Sequence, residues 1–230
     1  MTKTLTICLA GPMQSWGASS RFARRDTRLE PTKSGVIGLL GSAQGVRRTD
    51  SIEHLLGLKF GVRVDQEGSL EKDNVTSRSL DGTRAMPLAD KYYLVDAVFV
   101  AAVEGDDELV DSLAAAIRRP VFPLYLGRRA YPPSRPVYLA TTSTSLREAL
   151  RDTEWQASLR HRRRQGKSVR LRTMLDSESG SGEVIRDMPM SFDPRRREYG
   201  VRNVEESYVD VDNLLGRADV HDPMAFFGGA

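Results

Sequence analysis

The order of apolar patterns along these 230 residues predicts an α+β fold. Three observations carry that prediction. An alternating strand pattern opens the chain and leads into a capped helix. A long β-branched and aromatic run lies near the middle. A second, strongly signalled helix follows that run. Strand, helix, strand, strand, helix and returning strand is the split βαβ, ferredoxin-like order.

Each element has its own signal. In residues 3 to 10, Leu5, Ile7 and Leu9 fall on one face and Thr4, Thr6 and Cys8 on the other, a strand with one buried face. The segment from Gly11 to about Thr32 is longer than a simple connector needs, and such loops are often functional. It carries Trp16 and four arginines, Arg21, Arg24, Arg25 and Arg28. A helix is expected from Lys33 to Gln44, with Thr32 as its cap and Gly45 as its stop. Gly35, Gly38, Ser42 and Gly45 share one face of it, although each interior glycine costs ~1 kcal/mol relative to alanine. Another element packs closely on Ser42; at Gly35 and Gly38 the neighbour is either protein or ligand.

A short helix is expected near residues 51 to 57, and strands at Lys59–Val64 and Val75–Ser79. Residues 81 to 90 have turn chemistry and no period, as in a projecting loop or hairpin tip. Tyr92 to Val103 reads as one central strand, apolar on both faces. The helix from Asp106 to Arg119 has acids at its start, arginines at its end and a Leu109, Leu113, Ile117 stripe, and Pro120 follows. A proline-punctuated stretch with a Gly127-Arg128-Arg129 turn leads to a strand at Val137–Ala140. From Thr141 the apolar pattern thins, so irregular strands and arginine-bearing loops are expected to about Tyr208, then a tail. Ser177 to Gly182 has the composition of a flexible loop. There is no internal repeat.

Composition narrows the function. No apolar run reaches the ~18 residues of a membrane span, and no leader-type apolar block precedes the first strand. A single cysteine, Cys8, excludes an internal disulfide and a cysteine-rich zinc site, and fits a cytoplasmic, reducing location. The net charge is only +3, but the charges are segregated. Residues 160 to 172 contain no acid and residues 104 to 111 no base, a distribution suited to a polyanionic partner or to two solvated faces.

Catalytic motifs are missing. His54, His161 and His221 lie in no recognisable nucleophile motif, and no carboxylate spacing singles out a magnesium site, so no metal or cofactor is expected. Lys33-Ser34 resembles the end of a phosphate-binding Walker A loop, but Thr32 and Thr27 stand where that motif needs glycines. Metal-free RNA cleavage by Tyr92, Lys91 and His54 is conceivable chemically, yet nothing in the sequence brings the three together.

Five ordered segments carry a resemblance. They are Leu9–Gly17, Pro31–Gly41, Tyr93–Phe99, Pro123–Arg129 and Pro132-Pro133. Together they resemble the CasD subunit family of the type I-E CRISPR complex Cascade, closely over residues 3 to 140 and loosely beyond. The resemblance implies an RRM-related, ferredoxin-like domain over residues 1–140 with a β-hairpin thumb at about 78–91. A smaller, mostly β C-terminal region at 141–230 would follow. It implies an antiviral-defence subunit that caps the 5′ handle of the CRISPR RNA and touches the backbone subunit CasC and the large subunit CasA. Target DNA would be met indirectly, through the complex. It implies no nuclease activity, since another subunit, CasE, cuts the RNA. A type I-C relative does cut repeat RNA with tyrosine, lysine and histidine side chains, but no histidine adjoins Lys91 here. The segment at 78–91 is short for a full thumb, so it is either truncated or built partly from its flanking strands.

These readings give the candidate RNA contacts. Trp16 either packs near the handle or anchors the turn as a core residue. Lys33, Ser34 and Gly35 offer a cation and backbone N–H groups at a helix start, with Gly38 on the same face. Arg24, Arg25 and Arg28 are expected to grip phosphates. Arg47 and Arg48 either join them or offset the helix dipole. Arg78 and Arg84, with Lys91 closing the same segment, face RNA or CasC. Arg128 and Arg129 present fork-like donors from a glycine turn. The basic run at 160 to 172 suits RNA, a partner protein or solvent equally.

Overall fold

The computed structural model describes residues 2–17, 24–76, 78–85 and 88–217, without the Arg24 side chain. Arg21 and His221 lie outside the described residues. The fold is mixed α/β and dominated by an antiparallel sheet. Its core strands are β1 (Thr2–Ala10), β4 (Lys59–Gln66), β7 (Val98–Asp106) and β8 (Tyr138–Thr142), in the order β4-β7-β1-β8. Three later strands, β9 (Ser168–Asp176), β10 (Glu183–Ser191) and β11 (Glu198–Asp212), extend the same sheet beyond β4, in the order β10-β11-β9. Gly61 to Arg63 of β4 pair with Thr173 to Leu175 of β9, which is the join.

One face of the sheet is covered by α1 (Lys33–Gln44) and α3 (Asp107–Arg118). Leu5, Ile7 and Leu9 meet Phe60, Val62, Phe99 and Val103 there, under Ile37, Leu40, Leu113 and Ile117. Each such large side chain contributes ~1.5–3 kcal/mol on burial. The opposite face holds Val100 and Ala102 against Leu146 and Leu150 of α4 (Leu146–Asp152), so the sheet is buried on both sides there. Arg63 and Asp65, both fully buried, pair at 2.7 Å beside the end of α4. Arg63 also donates to the carbonyls of Thr153 and Glu154, at 2.8 and 3.1 Å. Burial pushes the Asp65 carboxyl above its ordinary value and Arg63 opposes the shift.

Both long helices match the sequence reading. Thr32 Oγ1 accepts from Gly35 N, and Gly45 stops α1 at φ 85°. In α3 the buried stripe is Val110, Leu113, Ala114 and Ile117, with Leu109 only partly covered. The short α2 (Glu53–Leu56) lies where a short helix was expected.

Three expectations are corrected. The run from Tyr92 to Val103 is two strands, β6 (Ala89–Val95) and β7, broken where Asp96 adopts φ 56°. β6 belongs to a second, small sheet with β2 (Met13–Gln14), β3 (Arg24–Arg25) and β5 (Ser69–Val75). The strand expected at Val75–Ser79 is β5, which ends at Val75. Thirdly, the stretch after Thr141 is regular. It holds α4, the short α5 (Leu159–Arg162) and three strands, of which β11 is 15 residues long. Ser177 to Gly182 lie between β9 and β10, with Gly180 and Gly182 at positive φ.

The projecting segment is a hairpin whose stem is β5 and β6, paired from Ser69↔Val95 to Val75↔Ala89. Arg78 bridges Ala85, and the tip turns at Gly82 with φ 71°. The flanking strands therefore supply most of its length. At the tip, hydrogen bonds from Ser79 and Thr83 hold the Asp81 carboxyl down at about 2. No helix among the described residues is long and apolar enough to cross a membrane.

Candidate nucleic-acid interface

A groove of about 1590 Å³ runs over the outer face of α1. Ser34, Gly35, Gly38, Gly41 and Ser42 line it from the helix, so the small-residue face opens onto this space. Arg47 and Arg48 enter from beyond the helix end, and Arg25 from β3. Arg128 and Arg129 enter from the glycine turn. Arg186, Arg195 and Arg197 enter from β10 and the turn into β11. Phe122, Tyr125, Phe192 and Tyr199 bring aromatic rings to the same space. The acids along it are Asp26 and Glu198. Guanidinium groups beside aromatic faces match the chemistry of single-stranded nucleic acid, whose phosphates need cations and whose bases stack.

Local backbone chemistry sets these positions. Gly127 has φ 84°, and a Cβ there would overlap the Ser15 carbonyl oxygen. Ser15 N donates to Leu126 O at 3.1 Å, and Leu126 N to Tyr131 O at 2.7 Å, closing the turn. Arg128 then donates to Arg25 O at 3.1 Å and to the Tyr131 hydroxyl at 3.3 Å, tying the turn to β3.

The sequence candidates divide. Arg25, Ser34, Gly35, Gly38, Arg47, Arg48, Arg128 and Arg129 converge on the groove. Trp16 lies under it, but is only 1% exposed, and its indole N–H donates to Gln14 Oε1 at 3.1 Å. A Cβ on Gly35 would come within 2.8 Å of the Trp16 ring. Trp16 is thus the core residue that holds the turn, with no free face for a base, and Gly35 is small because the indole lies against it.

Lys33 requires the largest correction. It is 5% exposed, and its ammonium pairs with Asp176 at 2.7 Å instead of facing the groove. Its backbone N–H donates to Asp187 Oδ2 at 2.8 Å. Thr32 takes the Gly35 and Val36 N–H groups. Most of the anion site expected at this helix start is therefore filled from within. Arg28 is also engaged internally, donating twice to Glu30 Oε1 at 2.9 and 2.8 Å.

Arg78 and Arg84 are exposed at the hairpin tip and Lys91 is half-buried on β6, all outside the groove lining. Arg24 takes part in β3 through its backbone. His54 is exposed and bonds Gln44 at 3.0 Å. Among the described residues, no three or more His, Cys, Asp or Glu form a metal-ligating group.

Arg186, Arg195 and Arg197 were missed by the sequence reading. The available signal was Asp193-Pro194-Arg195-Arg196-Arg197, a turn dipeptide followed by three cations. The groove side of these strands is fixed by a buried charge network. Arg202 pairs with Asp187 at 2.6 Å and with Asp176 at 2.7 Å, and Asp176 Oδ2 also accepts from Phe60 N at 2.9 Å. Burial opposes the Arg202 charge, but the two carboxylates outweigh it and hold the guanidinium above its ordinary value.

Comparison with known proteins agrees with this architecture. The family model described as CRISPR-associated protein (Cas_Cas5) matches residues 4–205. The chain belongs to that family of CRISPR-associated proteins. The CRISPR system Cascade subunit CasD of Escherichia coli (strain K12) is 32% identical over 166 residues, covering 63% of this chain and 74% of that protein. A solved structure described as "Crystal structure of Cas protein" is 35% identical with a TM-score of 0.72, over 94% of this chain and 98% of its own. A chain of a "CRISPR RNA-guided surveillance complex" is 33% identical, also with a TM-score of 0.72, over 96% of both.

Proposed function

We propose that the chain is a non-catalytic, RNA-binding subunit of a cytoplasmic type I-E Cascade complex in antiviral defence. In this reading it caps the 5′ handle of the CRISPR RNA and joins the backbone subunit CasC to the large subunit CasA. Target DNA is met through the assembled complex. The observation that carries the reading is the groove, where arginines from five separate segments converge beside aromatic rings over the small-residue face of α1. Arg25, Arg47, Arg48, Arg128, Arg129, Arg186, Arg195 and Arg197 grip phosphates, and Arg24 is a further candidate. Ser34, Gly35 and Gly38 let the strand approach the helix closely. The hairpin residues Arg78, Arg84 and Lys91 face CasC or the RNA.

The β4-β7-β1-β8 order, with α1 and α3 in the two crossovers, supports a ferredoxin-like, RRM-related domain over residues 1–140. The thumb-like hairpin belongs to it, and residues 141–230 form the mostly β region that completes the groove.

Titrating labelled handle RNA against the pairs Arg128→Ala/Arg129→Ala and Arg195→Ala/Arg197→Ala tests the reading. Each pair is expected to weaken binding about tenfold or more and to lower the salt slope by roughly 1.4, as for two lost phosphate contacts on a single strand. Unchanged affinity and slope in both pairs would overturn it. Specific cleavage of repeat RNA in chelator, lost on changing Lys91 or Tyr92, would show a nuclease instead.

A further inference from the structure

The basic run at 160 to 172 does not contribute to the groove lining. Its charges divide into two sets. Arg162 lies over the Trp155 ring at 5.3 Å, Arg170 over the Tyr208 ring at 4.5 Å, and Arg172 pairs with Glu206 at 3.4 Å. These three are committed to the fold. Arg160, Arg163, Arg164 and Lys167 are exposed, and among the described residues the hydrogen bonds of that group run through the backbone.

The first three of these are held together by helical spacing. Arg163 N donates to Leu159 O and Arg164 N to His161 O, so the turn of α5 continues past its end. Positions i, i+3 and i+4 on such a turn share one side. The turn after β11 then brings Arg217 alongside. Arg217 N donates to Gln165 O at 3.1 Å. Asn213, 4% exposed, clasps the two segments, donating from Nδ2 to Arg162 O at 2.8 Å and to Gly166 O at 2.9 Å. A Cβ at Gly216 would overlap Gly166 O, so the approach needs a glycine. Five exposed cations from two distant segments are thus gathered on one surface.

Its place in the fold separates this surface from the groove. Arg197 and Tyr199 line the groove at the start of β11, and Asn213 follows its last residue. Fifteen residues of strand span about 45 Å at ~3.3 Å per residue. The chemistry differs too. The groove's set of aromatic rings has no counterpart among the described residues here: Trp155 is buried, and the half-exposed Tyr208 ring has Arg170 over one face. That leaves a poorer stacking platform for unpaired bases than the groove has. A surface led by exposed cations, with Glu154 beside Arg162 at its margin, suits a partner whose bases are already paired and whose phosphates face outward.

We infer that Arg160, Arg163, Arg164, Lys167 and Arg217 form a second nucleic-acid site, which takes the phosphate backbone of a duplex independently of the groove. The test uses the full chain and two probes, a random-sequence DNA duplex and an RNA duplex of equal length. The variant Arg160→Gln/Arg163→Gln/Arg164→Gln is expected to lose about tenfold or more in affinity for at least one duplex at low salt. Its salt slope should fall by roughly 2–3, at ~0.9 per phosphate contact. Handle-RNA binding should stay within twofold. Groove variants should behave in the opposite way, so a failed groove reading and a failed second site give different patterns. Equal duplex binding by variant and wild type would overturn the inference, as would wild-type binding to neither duplex. Loss of assembly with protein partners, at unchanged duplex affinity, would also overturn it and mark a protein-docking face.

Discussion

Gly127 shows how much one residue can fix. Its φ of 84° and the absence of a Cβ let the Gly-Arg-Arg turn press on the Ser15 backbone, which aims Arg128 and Arg129 into the groove. Gly127→Ala adds both left-handed strain and an overlap with a carbonyl that cannot move freely. A loss of about 2 kcal/mol or more is expected, a fall in Tm of roughly 4–8 °C, read by thermal denaturation. Handle binding should weaken alongside, because the turn must shift; an unchanged Tm would show that the turn tolerates a side chain. This residue was legible because a glycine before two like charges in a proline-bounded stretch signals a turn locally. Lys33 was not. Its partner Asp176 lies 143 positions away, and a lysine at a helix start looks the same in sequence whether it faces solvent or a buried carboxylate.

At the scale of elements, legibility followed how local the stabilising contacts are. The two long helices have caps and stripes within their own sequence and were read almost to the residue. The β9 to β11 strands were not, because charged and polar residues are interleaved through their pairing. Asp210 faces Arg170 across β9 and β11 and Asp212 faces Ser168, so the apolar alternation is confined to short stretches such as Val169 and Leu171 against Val211 and Val209. Their groove end is held by Asp187 and Arg202, which bind each other through two hydrogen bonds at 2.6 and 2.9 Å. Asp187→Ala leaves Arg202 with one carboxylate and frees the Lys33 N–H at the start of α1. Breaking such a buried pair costs about 3–5 kcal/mol. Adding Arg202→Met should recover part of that loss, since it removes the stranded charge. Denaturant unfolding of both single variants and the double variant measures the coupling. Independent, additive losses would show that the pair is not the clasp between β10 and β11 and the helix.

At the scale of the molecule, the boundary near residue 140 divides the sequence but not the packing. It falls inside β8 (Tyr138–Thr142). Cutting there removes β9 and leaves Gly61 to Arg63 of β4 on an open edge. It also removes α4, exposing Val100 and Ala102 on a face that α4 otherwise buries. Arg63 and Asp65 lose the carbonyls and N–H that complete their network, namely Thr153 O, Glu154 O and Gln156 N. Lys33 and Phe60 N lose Asp176. An uncovered sheet face, a free edge and stranded buried charges each favour aggregation over a stable monomer. The fragment 1–140 is therefore expected to show no cooperative thermal transition and to elute as aggregate in gel filtration. The fragment also lacks Arg186, Arg195 and Arg197, so any soluble part should bind handle RNA with a shallower salt slope than the full chain. A sharp unfolding transition with full RNA affinity would show that residues 141–230 are an accessory. The expected outcome makes them one side of the groove and one cover of the sheet, which is why a chain that reads as two regions works as one unit.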